Sequence, residues 1–163
     1  MKRLLLIFAG IVLLATVQAQ VVGTSVIHVR QVAFENIISN GTFDDATGWT
    51  ANTGWTIGSG VATYDDVSDG TALIQYDVDM NGSIVASQDY TISFDITIAS
   101  GEAKIWILDE SNSYALKAST GYLDGHHEYD VTAHPSYGGG ISFYAYASSD
   151  NAFTIDNIIV VDR

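Results

Sequence analysis

From Tyr90 to Ile98 the chain alternates without a break. Tyr90, Ile92, Phe94, Ile96 and Ile98 form one set, and Thr91, Ser93, Asp95 and Thr97 the other. Successive side chains of a strand point to opposite faces, so this stretch can bury one face and wet the other only as β-structure. The rest of the chain conforms. Trp55 to Ile57, Val61 to Tyr64, Thr71 to Met80, Ala103 to Leu108, Glu128 to Ala133, Ile141 to Ala147 and Phe153 to Val161 are short runs suited to strands. Between them lie clusters of Gly, Asn, Asp and Ser, among them Gly58-Ser59-Gly60, Asn81-Gly82, Asp109 to Ser113 and Gly138-Gly139-Gly140. Asn81-Gly82 reads as a hairpin-type turn. No stretch sustains a period of 3.6, and many short strands between turn signals make an all-β sandwich.

The first residues have a different character. Lys2 and Arg3 precede an uncharged apolar run, Leu4 to Ala15, and Val17-Gln18-Ala19 is a small-residue cleavage site. Residues 1–19 therefore read as a signal peptide cut before Gln20. The run falls short of the about 20 residues that a spanning helix needs, and no second apolar stretch of that length follows. The mature chain is expected to be exported, secreted or at the cell surface, and free of a membrane span. It keeps four basic residues against 19 acidic ones, a net charge of −15. That charge excludes nucleic acid and anionic lipid as partners held by electrostatics, and leaves neutral sugars and cations. There is no cysteine. With no disulfide available, a core must hold the fold, and about 140 residues suffice for one domain that does so.

Residues 20–35 form a separate N-terminal extension. Val26, Ile27, Val29, Val32 and Phe34 favour strand. Two readings stand: an extra edge strand on the chain's own sandwich, or an exchangeable strand that pairs Gln20 to Phe34 with a neighbouring subunit. The second would make the protein a structural subunit of an extracellular fibre or surface layer, a homo-oligomer joined through residues 20–34.

Catalytic templates find no purchase. The chain has neither a cysteine nucleophile nor Gly-x-Ser-x-Gly. His126-His127-Glu128 lacks the spacing and the helix that place two histidines on one face, and it reads as a polar loop at a strand entrance. Abundant carboxylates make chance pairs unavoidable, so a pair is no evidence of glycosidase chemistry. The aromatic residues carry more information. With Ile141 and Phe143 in the core, strand parity puts Ser142, Tyr144 and Tyr146 on the other face. Ile105 and Ile107 in the core likewise put Trp106 outside; the same pattern equally fits a strand buried on both sides, with Trp106 under a loop. On the Thr71 to Met80 strand, Ile74, Tyr76, Val78 and Met80 share one face. Gln75, Asp77, Asp79 and then Asn81 take the other. Such a surface offers aromatic walls for the C–H faces of sugar rings and polar groups for their hydroxyls. Trp49 reads as core.

Two segments resemble a known family. Asn40-Gly41-Thr42-Phe43-Asp44, followed by Gly48-Trp49, resembles the first-strand signature of carbohydrate-binding module families 4 and 9. Phe153-Thr154-Ile155-Asp156-Asn157-Ile158-Ile159-Val160 is similar to that family's last strand. The resemblance begins at Asn36, making residues 36–163 the module-like domain. It implies a jelly-roll β-sandwich that binds a glycan or polysaccharide in a groove on one sheet, without catalysis. By position it implies Trp106, Tyr114, Ser142, Tyr144, Tyr146 and Asn81 as groove residues, with Gln75 added from the strand pattern. Asn52 stands near a place where groove-type relatives often carry an aromatic. The resemblance also implies a structural calcium held by the carbonyls of Thr42 and Gly60 and the carboxylate of Asp156, with Asp44 beside them.

Overall fold

The computed structural model describes residues 35–65, 70–118, 121–146 and 151–163. The expected signal peptide, residues 1–19, and the Gln20 to Phe34 stretch lie outside them. The described residues contain ten strands and no α-helix. They are β1 (Thr50–Ala51), β2 (Trp55–Gly58), β3 (Val61–Asp65), β4 (Thr71–Gln75), β5 (Asp89–Ser100), β6 (Ile105–Leu108), β7 (Ala115–Lys117), β8 (Gly125–Thr132), β9 (Ile141–Ala145) and β10 (Ala152–Asp162). Two five-stranded antiparallel sheets form, in the orders β1-β4-β9-β6-β7 and β2-β3-β10-β5-β8. From β3 onward nearly every connection crosses from one sheet to the other, β6 to β7 excepted. This is a jelly-roll sandwich, and the all-β expectation holds.

The alternating stretch Tyr90 to Ile98 lies within β5. Tyr90, Ile92, Phe94 and Ile96 are buried between the sheets. From the facing sheet come Leu73, Ile105, Ile107, Ile141 and Phe143. Aromatic rings run through this layer. Phe43 meets Trp49 at 5.1 Å, Trp49 meets Phe143 at 6.3 Å, and Phe143 meets Phe94 edge-on at 5.9 Å. A second group, Trp55, Tyr64 and Phe153, packs with centroids 5.2–5.7 Å apart. Trp49 is core, as expected.

The two halves of the resemblance meet in space. Asn36 reaches β10 across the whole domain: its Nδ2 donates to the Ile158 carbonyl (3.1 Å) and its Oδ1 accepts from the Val160 amide (2.9 Å). The Ile158 amide donates to the Gly41 carbonyl (2.9 Å). Gly41 is a glycine for a reason that turn propensity does not supply. Positive φ falls on Asn40 (46°) and Phe43 (50°) instead, while a Cβ at Gly41 would run into the Ile158 carbonyl.

Four expectations are corrected. The Thr71 to Met80 strand stops at Gln75 and continues as a 3-10 turn, Asp77–Asp79. Its parity is also inverted. Leu73 pairs with Phe143 and faces the core, so Gln75, two residues on and opposite Ile141, faces the same way and is fully buried. Tyr76 and Val78 are exposed instead, Val78 at 89 %. Asn81-Gly82 is not a hairpin turn, because β4 and β5 belong to different sheets and the segment arches between them. The histidine pair is not in a loop; it lies within β8.

Burial of Gln75 is compensated by Ser39. The Gln75 Nε2 donates to the Ser39 carbonyl (2.8 Å), and the Ser39 amide donates to Gln75 Oε1 (3.1 Å). Gln75→Ala leaves those main-chain groups unpaired and is expected to cost about 1–3 kcal/mol. In urea unfolding the midpoint should fall with an unchanged slope; an unmoved midpoint would show that the clasp contributes nothing.

Candidate functional site

The site is built on the outer face of the β1-β4-β9-β6-β7 sheet. Register sets its central row. Trp106 on β6 pairs with Tyr144 on β9, and Tyr144 pairs with Ala72 on β4. Side chains so opposed start about 4.5–5.5 Å apart at Cβ. Tyr146 follows two residues after Tyr144 on the same face, and its amide donates to the Lys104 carbonyl (2.9 Å), which carries the ladder one step past the strand. Trp106 is 42 % exposed and Tyr146 55 %. Among the described residues no loop covers Trp106, which favours the exposed reading of the two that the pattern left open.

These rings line a pocket of about 370 Å³ together with Leu108, Asn112, Ser113 and Ala115. Asn112 and Ser113 were not foreseen. They sit in the turn between β6 and β7, which the sequence marked only as a turn. Asp109 shapes it. Its Oδ1 accepts the amides of Ser113 (2.7 Å) and Tyr114 (3.1 Å), and its Oδ2 accepts the Ser111 hydroxyl (2.8 Å). Burial alone would push the Asp109 carboxyl up. The Ser113 amide, the Ser111 hydroxyl and the amides of Tyr114 and Gly138 outweigh it and hold the group below the ordinary aspartate value.

The remaining expected groove residues are placed as follows. Ser142 is fully buried beneath the pocket, and its hydroxyl donates to Asn112 Oδ1 (2.5 Å). That contact occupies the acceptor end of the Asn112 carboxamide. Tyr114 is outside the lining set and stacks on His134, centroids 4.7 Å apart and 13° from parallel. Asn81 spends its amide on the carbonyls of Asn36 and Ile38, both at 3.1 Å. Gln75 is held by Ser39 on the core side. Trp106, Tyr144 and Tyr146 are thus brought together with Ser142 behind them, while Tyr114, Asn81 and Gln75 are not part of the lining.

The histidines take opposite faces. His126 Nδ1 lies 2.7 Å from Asp95 Oδ1 on the outer face of the second sheet. His127 packs inward against Phe94 and Tyr122 at 5.6 and 5.1 Å. The Asn157 amide and His126 together hold the Asp95 carboxyl below its ordinary range.

The residues expected to hold calcium converge in part. Ser59 and Gly60 both take positive φ (57° and 80°) in the β2–β3 turn. The Thr42 carbonyl oxygen lies 3.9 Å from where a Gly60 Cβ would stand. The β10–β3 ladder ends at Ile155↔Ala62, so Asp156 follows beside Val61, next to that turn. One Asp156 oxygen accepts the Asn157 amide (2.6 Å). Asp44 is exposed, and its amide donates to Asn40 Oδ1 (3.0 Å). Among the described residues no three acidic or histidine side chains gather at a metal-binding separation. A cation here would draw on main-chain carbonyls. The donors are all oxygens, a set suited to a hard ion such as calcium and unsuited to zinc.

No family model matches the chain, and no curated protein matches it. Solved structures do. The CBM22-1 xylan-binding domain of Paenibacillus barcinonensis Xyn10C superposes with a TM-score of 0.54 at 14 % identity, over 80 % of this chain and 95 % of that one. The second N-terminal cellulose-binding domain of Cellulomonas fimi β-1,4-glucanase C gives 0.52 at 14 %, over 80 % and 95 %. A family 4 carbohydrate-binding module gives 0.50 at 16 %, over 77 % and 99 %. At these identities the likeness is one of fold: the sandwich is that of carbohydrate-binding modules. Among the described residues no helix is long and apolar enough to cross a membrane.

Asp109 makes the pocket turn acid-sensitive. A carboxyl held below its unfolded value stabilises the folded state above that value, 3.8, and the contribution is lost as pH falls through the folded value. Asp109→Asn should lower the melting temperature at neutral pH and flatten its fall below pH 3.8. An unchanged acid limb would show that Asp109 does not couple to folding.

Proposed function

We propose that the protein is an exported, non-catalytic carbohydrate-binding domain that takes a glycan chain on the Trp106, Tyr144 and Tyr146 surface. One observation carries the reading: three aromatic side chains stand together on the solvent face of a sheet, around a pocket edged by polar groups. Aromatic faces left in water at this density are unfavourable unless a partner covers them. Sugar C–H faces fit them, and the Asn112 carboxamide and Ser113 hydroxyl offer hydrogen bonds to ring hydroxyls. The strong negative charge favours a neutral glycan over an acidic one. Likeness of fold to xylan- and cellulose-binding domains is consistent with the reading. Export rests on residues 1–19 as a cleaved signal. No residue is assigned a catalytic role, and His126 and His127, on opposite faces of β8, cannot act on one substrate atom together.

A structural calcium belongs to the same proposal. The carbonyls of Thr42 and Gly60 and the Asp156 carboxylate would hold it, with Asp44 at the rim. The ion would tie the first turn of the domain to its closing strand.

For the groove, Trp106→Ala is expected to weaken glycan binding by about 1–3 kcal/mol on calorimetry, with the melting temperature unchanged. Unfolding of the variant would instead make Trp106 a structural residue and remove the groove.

For the metal, excess calcium should raise the melting temperature, a chelator should lower it, and Asp156→Ala should abolish the difference. A melting curve indifferent to both, or a full calcium response in the variant, would remove the calcium from the proposal.

A further inference from the structure

Gly70 is the residue before β4, and nothing in its backbone calls for glycine. Its φ lies outside the left-handed region, unlike those of Gly48, Gly54 and Gly60. The space above it does call for glycine. A Cβ at Gly70 would stand 2.7 Å from both Cε1 and the hydroxyl oxygen of Tyr144, and 2.9 Å from Cζ. The missing side chain is therefore the room that the Tyr144 ring occupies.

Register gives this a direction. Tyr144 lies between Ala72 on β4 and Trp106 on β6. Gly70 shares the face of Ala72, two residues away, and lies diagonally across from Tyr144. The ring tip lies over Gly70, on the β4 side of β9, while Trp106 stands on the β6 side. Trp106, Tyr144 and Tyr146 line one pocket.

We infer that Gly70 sets the width of the pocket, acting through Tyr144. With no side chain at residue 70, Tyr144 lies back and the space between it and Trp106 is open to a pyranose ring. Any side chain at residue 70 turns Tyr144 toward Trp106 and narrows that space. Gly70 touches no ligand; it is a positioning residue. The inference rests on the proposed glycan surface, and its test separates the two.

The test is a double-mutant cycle on the full mature chain, with soluble neutral β-glucan and xylan oligosaccharides as probes and with the ligand-free Tyr144 ring resonance as a second readout. Gly70→Ala should lower affinity about tenfold, the ratio that a displaced side-chain rotamer of ordinary cost produces. It should also shift the Tyr144 ring signal without ligand, since the ring approaches the Trp106 indole. In a Tyr144→Ala background Gly70→Ala should change affinity no further. Gly70→Ser repeats the measurement should the alanine variant fold poorly. Two results would overturn the inference: an unmoved Tyr144 resonance in both Gly70 variants, or a Gly70→Ala loss that adds in full to that of Tyr144→Ala. Should the wild-type chain bind none of the probes while the Tyr144 resonance still moves, the positioning by Gly70 stands and the glycan reading fails.

Discussion

The pleat of β9 ties the core to the pocket. Phe143 must face inward, because it bridges Trp49 and Phe94 across the space between the sheets. Once it does, Ser142 and Tyr144 face outward with no freedom to choose. A shift of one residue in β9 would bury Tyr144, expose Phe143 and break the ring contacts that join the sheets. The surface proposed to take a glycan is thus held by the same contacts that hold the fold. This accounts for a site built on strands, where side-chain directions are set by packing.

Around that strand the site is completed by small accommodations. Ser142, buried on the outer side, is useful only because the β6–β7 turn brings Asn112 over it. The turn keeps that shape because Asp109 gathers the amides of Ser113 and Tyr114. Tyr144 in turn depends on empty space at Gly70. A strand fixes where a side chain starts, and these neighbours fix where it ends.

The opposite side of the domain shows the same division. Asn36 and Gly41 lie more than a hundred residues from Ile158 and Val160 in sequence, yet the Asn36 side chain and the Gly41 main chain bond to the main chain of those two residues. Loop closure over such a span is costly. Paired hydrogen bonds at the meeting point offset that cost.

Much of this was legible from residue order alone. The period of two in Tyr90 to Ile98, with no competing period of 3.6, determined an all-β sandwich, because only a strand gives those residues a common buried face. The same rule put Tyr144 and Tyr146 outside and left Trp106 between an open face and one under a loop. It failed at Gln75. A run in which Ala72, Leu73 and Ile74 are all apolar has no readable parity, and only the pairing of Leu73 with Phe143 settles which face is inner. Asn112 and the significance of Gly70 were also invisible. Each depends on a residue distant in sequence, Ser142 in one case and Tyr144 in the other, brought close by strand register. Periodicity reports which face of a strand is buried; which strands are neighbours, and what they place over one another, is decided only when the sheets assemble.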